Sequence, residues 1–327
     1  MSNSYIGHII EQINLATESC GPILLYGENI DTGSRIGGLA RGLKVNSSGR
    51  ILNVGNCELT HIGVGLGIMM DGGSSAVFMK QLDFLLLGFD QIVNTYNYIR
   101  AFPRQEGVGS FTIFPIVCDQ GYQGAQSSLN AAGDFASMAN IDVFCLNGAE
   151  DASVIIREQF VNPGFRVICT SQRLFGAPVL DLKIEARSSD NAVFRYRTGS
   201  DITLVCYNFS LREGVKLAEH LSGIGIQSDL FHVNFVPDMN ISLFAESCNR
   251  TRKLVLIDDS KSGAKFGDVL VRRLQASAVE FSVLTLFRQR CAVADYGVVE
   301  DRFTLDYEQV LSFVERPDGA SGIWGNL

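Results

Sequence analysis

The sequence predicts an α/β protein built as two three-layer α/β domains, and three observations predict it. Between Pro22 and Phe175, short apolar runs rich in β-branched residues alternate with longer segments of helical period, the pattern of a mostly parallel sheet covered by helices. The polar, turn-rich stretches Ala186–Ala192 and Tyr196–Asp201 interrupt that alternation, and after them it restarts. The length of 327 residues fits two domains at roughly 100 to 200 residues each.

In the first half the expected strands are Ile23–Tyr26, Ile51–Val54, Ala76–Met79, Thr112–Cys118, Val143–Leu146 and Arg166–Cys169. A single helix is expected from Asp83 to Arg100, where Leu85, Phe89, Ile92, Tyr96 and Ile99 recur at spacings of four and three. Asp90, Gln91, Asn94 and Asn97 fall on its opposite face. In the second half the reading is strand Ile202–Tyr207, helix Ser210–Leu221, strand Gln227–His232, helix Ile241–Cys248, strand Lys253–Ile257, helix Lys265–Leu274 and strand Phe281–Leu286.

With 46% hydrophobic and 19% charged residues the chain can bury two cores. A net charge of −8 and a pI near 5.1 give no basic footprint for a nucleic-acid backbone or an anionic membrane. The N-terminus lacks a basic region followed by an apolar one, and no apolar run approaches the ~18 residues of a membrane span. A soluble cytoplasmic protein with neither nucleic-acid nor membrane partners is the expectation. The eight cysteines, Cys20, Cys57, Cys118, Cys145, Cys169, Cys206, Cys248 and Cys291, form no CxxC pair or zinc-spaced cluster and read as buried thiols in a reducing compartment. The four histidines are dispersed, so no metal site is expected on this chain, although His61 lies close to Glu58.

Common catalytic motifs are missing: there is no GxxxxGK[ST] loop, GxSxG elbow or HExxH pair. Gly63-Val-Gly-Leu-Gly67 does not complete a GxGxxG fingerprint, so these glycines read as permitting close helix packing. Glu58 ends the run Ile51-Leu-Asn-Val-Gly-Asn-Cys-Glu58 at the mouth of a Gly-rich helix. Strand ends of α/β sheets are where ligands usually lie, while a helix N-terminus also favours an acid for its own sake.

Four stretches, taken together, resemble the β subunits of thiamine-diphosphate-dependent 2-oxo acid dehydrogenases and, more distantly, the matching half of transketolase. They are Leu25-Tyr-Gly-Glu28-Asn-Ile, Val54-Gly-Asn56-Cys-Glu58 with its glycine helix, Asp83-Phe84 leading to Phe89-Asp-Gln-Ile-Val-Asn94, and Gly199-Ser-Asp201-Ile-Thr-Leu-Val. Asp258-Asp259 with Gly263 and Gly267 is similar to an acidic pair and glycine turn in the family's last domain. The resemblance spans nearly the whole chain in order. It implies a pyrimidine-binding-type parallel-sheet domain in residues 1–190, followed by a smaller transketolase C-terminal-like domain in residues 198–327.

That resemblance implies specific roles. Glu58 falls at the glutamate that shares a proton with the cofactor's aminopyrimidine ring, Phe84 at the aromatic stacked on that ring, and Glu28 at an acid near the cofactor; Asn56 belongs to the same cofactor-binding set. Magnesium and the diphosphate are implied to lie on a diphosphate-binding α-type partner, because Gly133-Asp134-Phe135 is the nearest approach here to that partner's Gly-Asp-Gly motif and the paired asparagines are missing. A β₂ core within a heterotetramer is implied as well.

The chain also departs from the family. Asn130 or Ala131, in Gln126–Asp134, stands where the dehydrogenases carry a histidine that assists transfer to a lipoyl arm, and an amide or a methyl group does not titrate. Thr60 replaces a glycine, and Val233 and Val236 stand in place of arginines. The expected activity is therefore transfer of a two-carbon acyl or ketol unit from a 2-oxo acid or ketose to a non-lipoyl acceptor such as an aldehyde or keto sugar. The alternatives are a non-catalytic structural or regulatory paralogue and a conventional lipoamide-using dehydrogenase component.

Overall fold

The computed structural model describes residues 4–101, 107–119, 129–288, 303–316 and 323–325. The chain divides into two compact units, Met1–Cys118 with Gln123–Asp181, and Asp119–Tyr122 with Leu182–Leu327. Among the described residues no helix is long and apolar enough to cross a membrane.

The first unit runs α1 (Tyr5–Ser19), β1 (Ile23–Gly27), β2 (Arg50–Asn53), α2 (Glu58–Met70), β3 (Ser74–Met79), a 3₁₀ segment (Leu82–Gly88), a π-helical segment (Gln91–Tyr96), α3 (Asn97–Arg100), β4 (Ser110–Val117), α4 (Ala132–Ala139), β5 (Val143–Cys145), α5 (Ala149–Gln159) and β6 (Gly164–Ser171). Its six strands form a parallel sheet in the order β2-β1-β3-β4-β6-β5. The central strand β4 is buried at every position and β6 at all but its first, as expected of strands covered on both faces. Edge strand β2 is mostly exposed. Helix α1, which the sequence reading did not identify, is tied in by Tyr5: its hydroxyl donates to the Leu146 carbonyl at 2.7 Å and accepts from the Ser171 amide at 3.1 Å.

The expected helix over Asp83–Arg100 is instead three segments of different winding. Leu85, Phe89 and Ile92 are buried as the stripe requires, but Tyr96 and Ile99 are only half-buried. The physical reason lies in Gly88, where a Cβ would sit 2.9 Å from the Glu58 carbonyl oxygen and 2.5 Å from Ile62 Cγ1. The segment is pressed against the first turn of α2, and its winding adjusts to that contact.

The three glycines of α2 also differ from one another. A Cβ on Gly65 would meet the Phe111 ring at 2.1 Å, so this glycine is required for packing on β4. Gly63 would make only ordinary contact with Gln91, and Gly67 faces open space, so the close-packing expectation holds for one of the three.

The second unit contains β7 (Ala186–Arg187), β8 (Val193–Arg197), β9 (Ile202–Tyr207), α6 (Leu211–Gly223), β10 (Ser228–Val233), α7 (Ser242–Thr251), β11 (Lys253–Asp258), α8 (Gly267–Ala276), β12 (Ser282–Phe287), α9 (Tyr307–Val314) and β13 (Ile323–Gly325). The sheet order is β13-β12-β11-β9-β10-β8-β7, with β8 antiparallel to both of its neighbours, β10 and β7, and every other pair parallel. The division at Asp181/Leu182 precedes the polar stretch in which the sequence placed it. Residues 186–197 are an antiparallel hairpin at the edge of the second sheet, and edge strands carry the polar residues that read as a linker.

The cysteines follow their elements. Cys118, Cys145, Cys169, Cys206 and Cys248 are buried, Cys20 is half-buried, and Cys57 is exposed, contrary to the expectation of uniform burial. Cys291 and residues 126–128 lie outside the described residues.

Candidate functional site

The strand order of the first sheet reverses direction at β1. The chain steps from β1 outward to β2, then returns to the other side of β1 for β3, and ligands of open α/β sheets lie beyond the carboxyl ends of the strands at such a switch. Glu28 directly follows β1, Lys80 directly follows β3, and Glu58 opens α2 after the short connection from β2. Gly27 lets the two inner strands approach there, since a Cβ would sit 2.4 Å from the Phe78 carbonyl oxygen.

Glu58 is half-buried in the first turn of α2, where the free amides of a helix start favour a carboxylate. Glu28 is also half-buried, and its carboxyl is held above the ordinary glutamate range. Burial is the main cause, the Glu58 carboxylate adds to it, and His61 and Lys80 oppose it. Two acids, a histidine and a lysine therefore share one electrostatic neighbourhood. Tyr26 of β1 fixes the first turn of α2 by donating its hydroxyl to the His61 carbonyl at 2.6 Å. The His61 ring stands edge-on to the Tyr26 ring at 6.2 Å between centroids.

Phe84 lies half-buried in the 3₁₀ segment that Gly88 docks against the Glu58 carbonyl. Asn56 is exposed and lines a cleft of about 380 Å³ together with Cys57, Thr60 and His61. Of the residues singled out in the sequence, Glu28 and Glu58 are thus brought together, Phe84 is carried by the segment docked on the turn of Glu58, and Asn56 belongs to the cleft. Lys80 was missed, although its position just after the strand Ala76–Met79 was a readable signal. Asn130 and Ala131 are both buried ahead of α4. Among the described residues, no group of three or more His, Cys, Asp and Glu is placed to hold a metal ion.

These features define a two-unit α/β protein with an acidic crevice at the switch point of its first sheet. No family model matches the chain. It is 22% identical over 244 residues to the pyruvate dehydrogenase E1 component subunit beta of Rhizobium meliloti (strain 1021), a match covering 71% of this chain and 51% of that protein. It is 21% identical over 228 residues to the acetoin:2,6-dichlorophenolindophenol oxidoreductase subunit beta of Cupriavidus necator, covering 68% and 66%. The chain thus spans about half the length of the first of these relatives. In fold it is similar to a split-gene transketolase solved as an inactive beta4 tetramer, with a TM-score of 0.67, 15% identity and 95% of each chain covered. The resemblance carried by the sequence motifs, to dehydrogenase β subunits and to transketolase, is therefore found in sequence and in fold alike.

Proposed function

We propose that the chain is the β-type subunit of a heteromeric thiamine-diphosphate-dependent enzyme that transfers a two-carbon acyl or ketol unit from a 2-oxo acid or ketose to a non-lipoyl acceptor. The observation that carries this reading is the pairing of Glu58 with Glu28 at the β1/β3 switch point, with the Phe84 segment docked on the same turn. The residues present fit the aminopyrimidine half of the cofactor: a half-buried carboxylate in the first turn of a helix, and a half-buried aromatic ring on the segment docked against that turn. They do not fit the diphosphate and its magnesium, which are assigned to an α-type partner.

When bound, thiamine diphosphate supplies a stabilised carbon nucleophile for cleaving and forming bonds next to a carbonyl. Glu58 would hold the aminopyrimidine end of the cofactor and would give and take a proton at its carboxyl oxygen, as a general acid and base one step removed from substrate. Phe84 would hold the aminopyrimidine ring by aromatic contact, a contribution of ~0.5 to 1.5 kcal/mol beyond buried area. Burial and the neighbouring Glu58 carboxylate raise the proton affinity of Glu28 beside it. Asn56 contributes a neutral amide at the rim. Asn130 and Ala131 offer no titrating group for transfer to a lipoyl arm, which favours a small carbonyl acceptor.

A half-site of this kind requires assembly, so a β₂ core joined to the α-type subunit is part of the proposal. Its test is the thermal stability of the assembled pair with and without thiamine diphosphate and magnesium. A cofactor-dependent rise in Tm that Glu58→Ala weakens, together with lost turnover in Glu58→Gln, is the expected result. An assembled complex with no shift would mark the chain as a non-catalytic structural subunit.

A further inference from the structure

The acidic pair Asp258-Asp259 at the end of β11 divides its work. Asp259 is taken up by the Asn208 side chain and the Phe209 amide. Asp258 is aligned with Tyr207 of β9, so the two side chains leave the sheet on one face, side by side at the carboxyl ends of neighbouring strands. The start of α8 covers that face: a Cβ on Gly267 would sit 2.9 Å from Leu256 Cδ1 and 3.6 Å from Tyr207 Cε2.

Tyr207 is wholly buried, and its hydroxyl takes no hydrogen bond among the described residues. Burying a hydroxyl without a partner is costly, and phenylalanine would fill the same space without that cost. Burial drives the proton affinity of the phenol up, and the carboxylates of Asp258 and Asp268 add to it, so both acids face the hydroxyl. Asp258 is buried as well, and one of its oxygens accepts from the Ser260 amide at 2.8 Å. Asp268 is exposed in the first turn of α8. Its carboxyl is held above the ordinary range by desolvation first and by Asp258 second, against Arg272 and Lys265. Lys265 is itself held by the Ser260 carbonyl at 2.9 Å and lies over the Phe287 ring. Phe235 and Phe266 stand beside the phenol, their ring centroids 6.2 and 5.9 Å from that of Tyr207.

We propose that Tyr207, Asp258 and Asp268 form a binding site for the ammonium head of a small primary amine, reached from the exposed Asp268 side. An alkylammonium has three N–H donors, and the site offers three acceptors: the two carboxylates and the phenol oxygen. The cation relieves the repulsion between the two acids, and the faces of Phe235 and Phe266 take the carbon chain beside it. A divalent metal is a poorer occupant, because two carboxylates and a phenol fall short of the six or more oxygens that such an ion collects. A neutral alcohol would leave the paired acids uncompensated. The site uses none of the residues of the Glu28 and Glu58 crevice, so it stands apart from the cofactor reading.

The test is a ligand-observed NMR titration of the full chain with n-butylammonium chloride at about pH 7.5, where an alkyl amine carries its proton. The comparators are n-butanol and potassium chloride. Saturable binding of butylammonium is expected, with n-butanol bound at least about tenfold more weakly and potassium unable to displace the amine. Tyr207→Phe and Asp268→Asn should each weaken binding at least about tenfold, and the second lies at an exposed position where folding is not at stake. In the ligand-free chain, Tyr207→Phe should leave the urea midpoint unchanged or raised, because the hydroxyl holds nothing in the fold. Absence of saturable binding by the wild type, unchanged binding in either variant, or displacement by potassium would overturn the proposal. A lowered urea midpoint for Tyr207→Phe, failure to fold included, would overturn it too, by giving the hydroxyl a structural role.

Discussion

The two sheets reverse their strand order at equivalent places, and the two crevices are used in opposite ways. In the second unit the chain steps from β9 to β10 on one side and then to β11 on the other, so the switch lies at the ends of β9 and β11. Buried Asp259 sits there and accepts hydrogen bonds from the Asn208 side chain at 2.9 Å and the Phe209 amide at 3.0 Å. Ser210 donates to the carbonyls of Tyr207 and Ile257, and buried His232 donates to the Asn208 carbonyl at 3.1 Å. These polar groups are spent on holding the turn. At the β1/β3 switch of the first unit, Glu28 and Glu58 are half-buried and meet one another through their charge. One switch point is a structural joint, whereas at the other two carboxylates stay half-buried beside each other, so the position in the topology does not by itself say how a crevice is used.

The comparison can be broken most forcefully on the structural side. Asp259→Ala should cost about 4 kcal/mol, because it orphans two buried donors at roughly 1 to 3 kcal/mol each, as read by urea unfolding. A loss below about 1 kcal/mol would mean the joint is not built as described.

Acidification reads the same region through His232, whose burial lowers its pKa from 6.5 to about 4. The unfolded chain binds the proton first, so stability is full above about pH 6.5 and falls as pH drops toward 4, by about 3 kcal/mol in all. Replacing His232 with Gln should flatten that part of the stability profile, whatever it does to stability at neutral pH.

Between the two extremes lies the packing of α2. Gly65→Ala should cost about 1 to 3 kcal/mol through its overlap with Phe111, whereas Gly67→Ala, facing open space, should be neutral or slightly stabilising. Thermal denaturation of the pair separates them.

The smallest effects belong to the site. Glu58→Ala should cost the isolated chain about 0.3 to 1 kcal/mol, the favourable interaction of a first-turn carboxylate with the helix start. Glu28 has a raised pKa, so its ionised form weakens the fold and the cost sets in as pH rises through the carboxylate range. Glu28→Gln should therefore raise Tm slightly at pH 7 and lose that advantage in acid. A large loss in either variant would turn the first crevice into a second structural joint.

Much of this architecture was legible in the sequence because buried parallel strands announce themselves as short β-branched runs: Ile202–Tyr207 was read to the residue. The helix over Asp83–Arg100 was misread because an apolar stripe of period near 3.6 does not distinguish an α-helix from successive 3₁₀ and π turns, and the contact that decides, between Gly88 and the Glu58 carbonyl, joins residues thirty apart. The hairpin at residues 186–197 was hidden by its edge position. Glu58 and Glu28 were singled out through strand ends and the family resemblance, and the fold sets them beside each other. The exposure of Cys57 depends on how α2 lies against β1 and β2, which no local pattern encodes.

The contact between Gly65 and Phe111 has a consequence for how this chain can vary over evolutionary time. A side chain at position 65 and a full aromatic ring at position 111 are mutually exclusive within this backbone, and Phe111 is itself stacked on Phe165 at 5.4 Å. Lineages that acquire a methyl group at 65 must first, or together, shrink the residue at 111, and those that keep the Phe111–Phe165 pair are confined to glycine on the helix. The two positions should drift as one unit, tying the inheritance of the helix that carries Glu58 to that of strands β4 and β6.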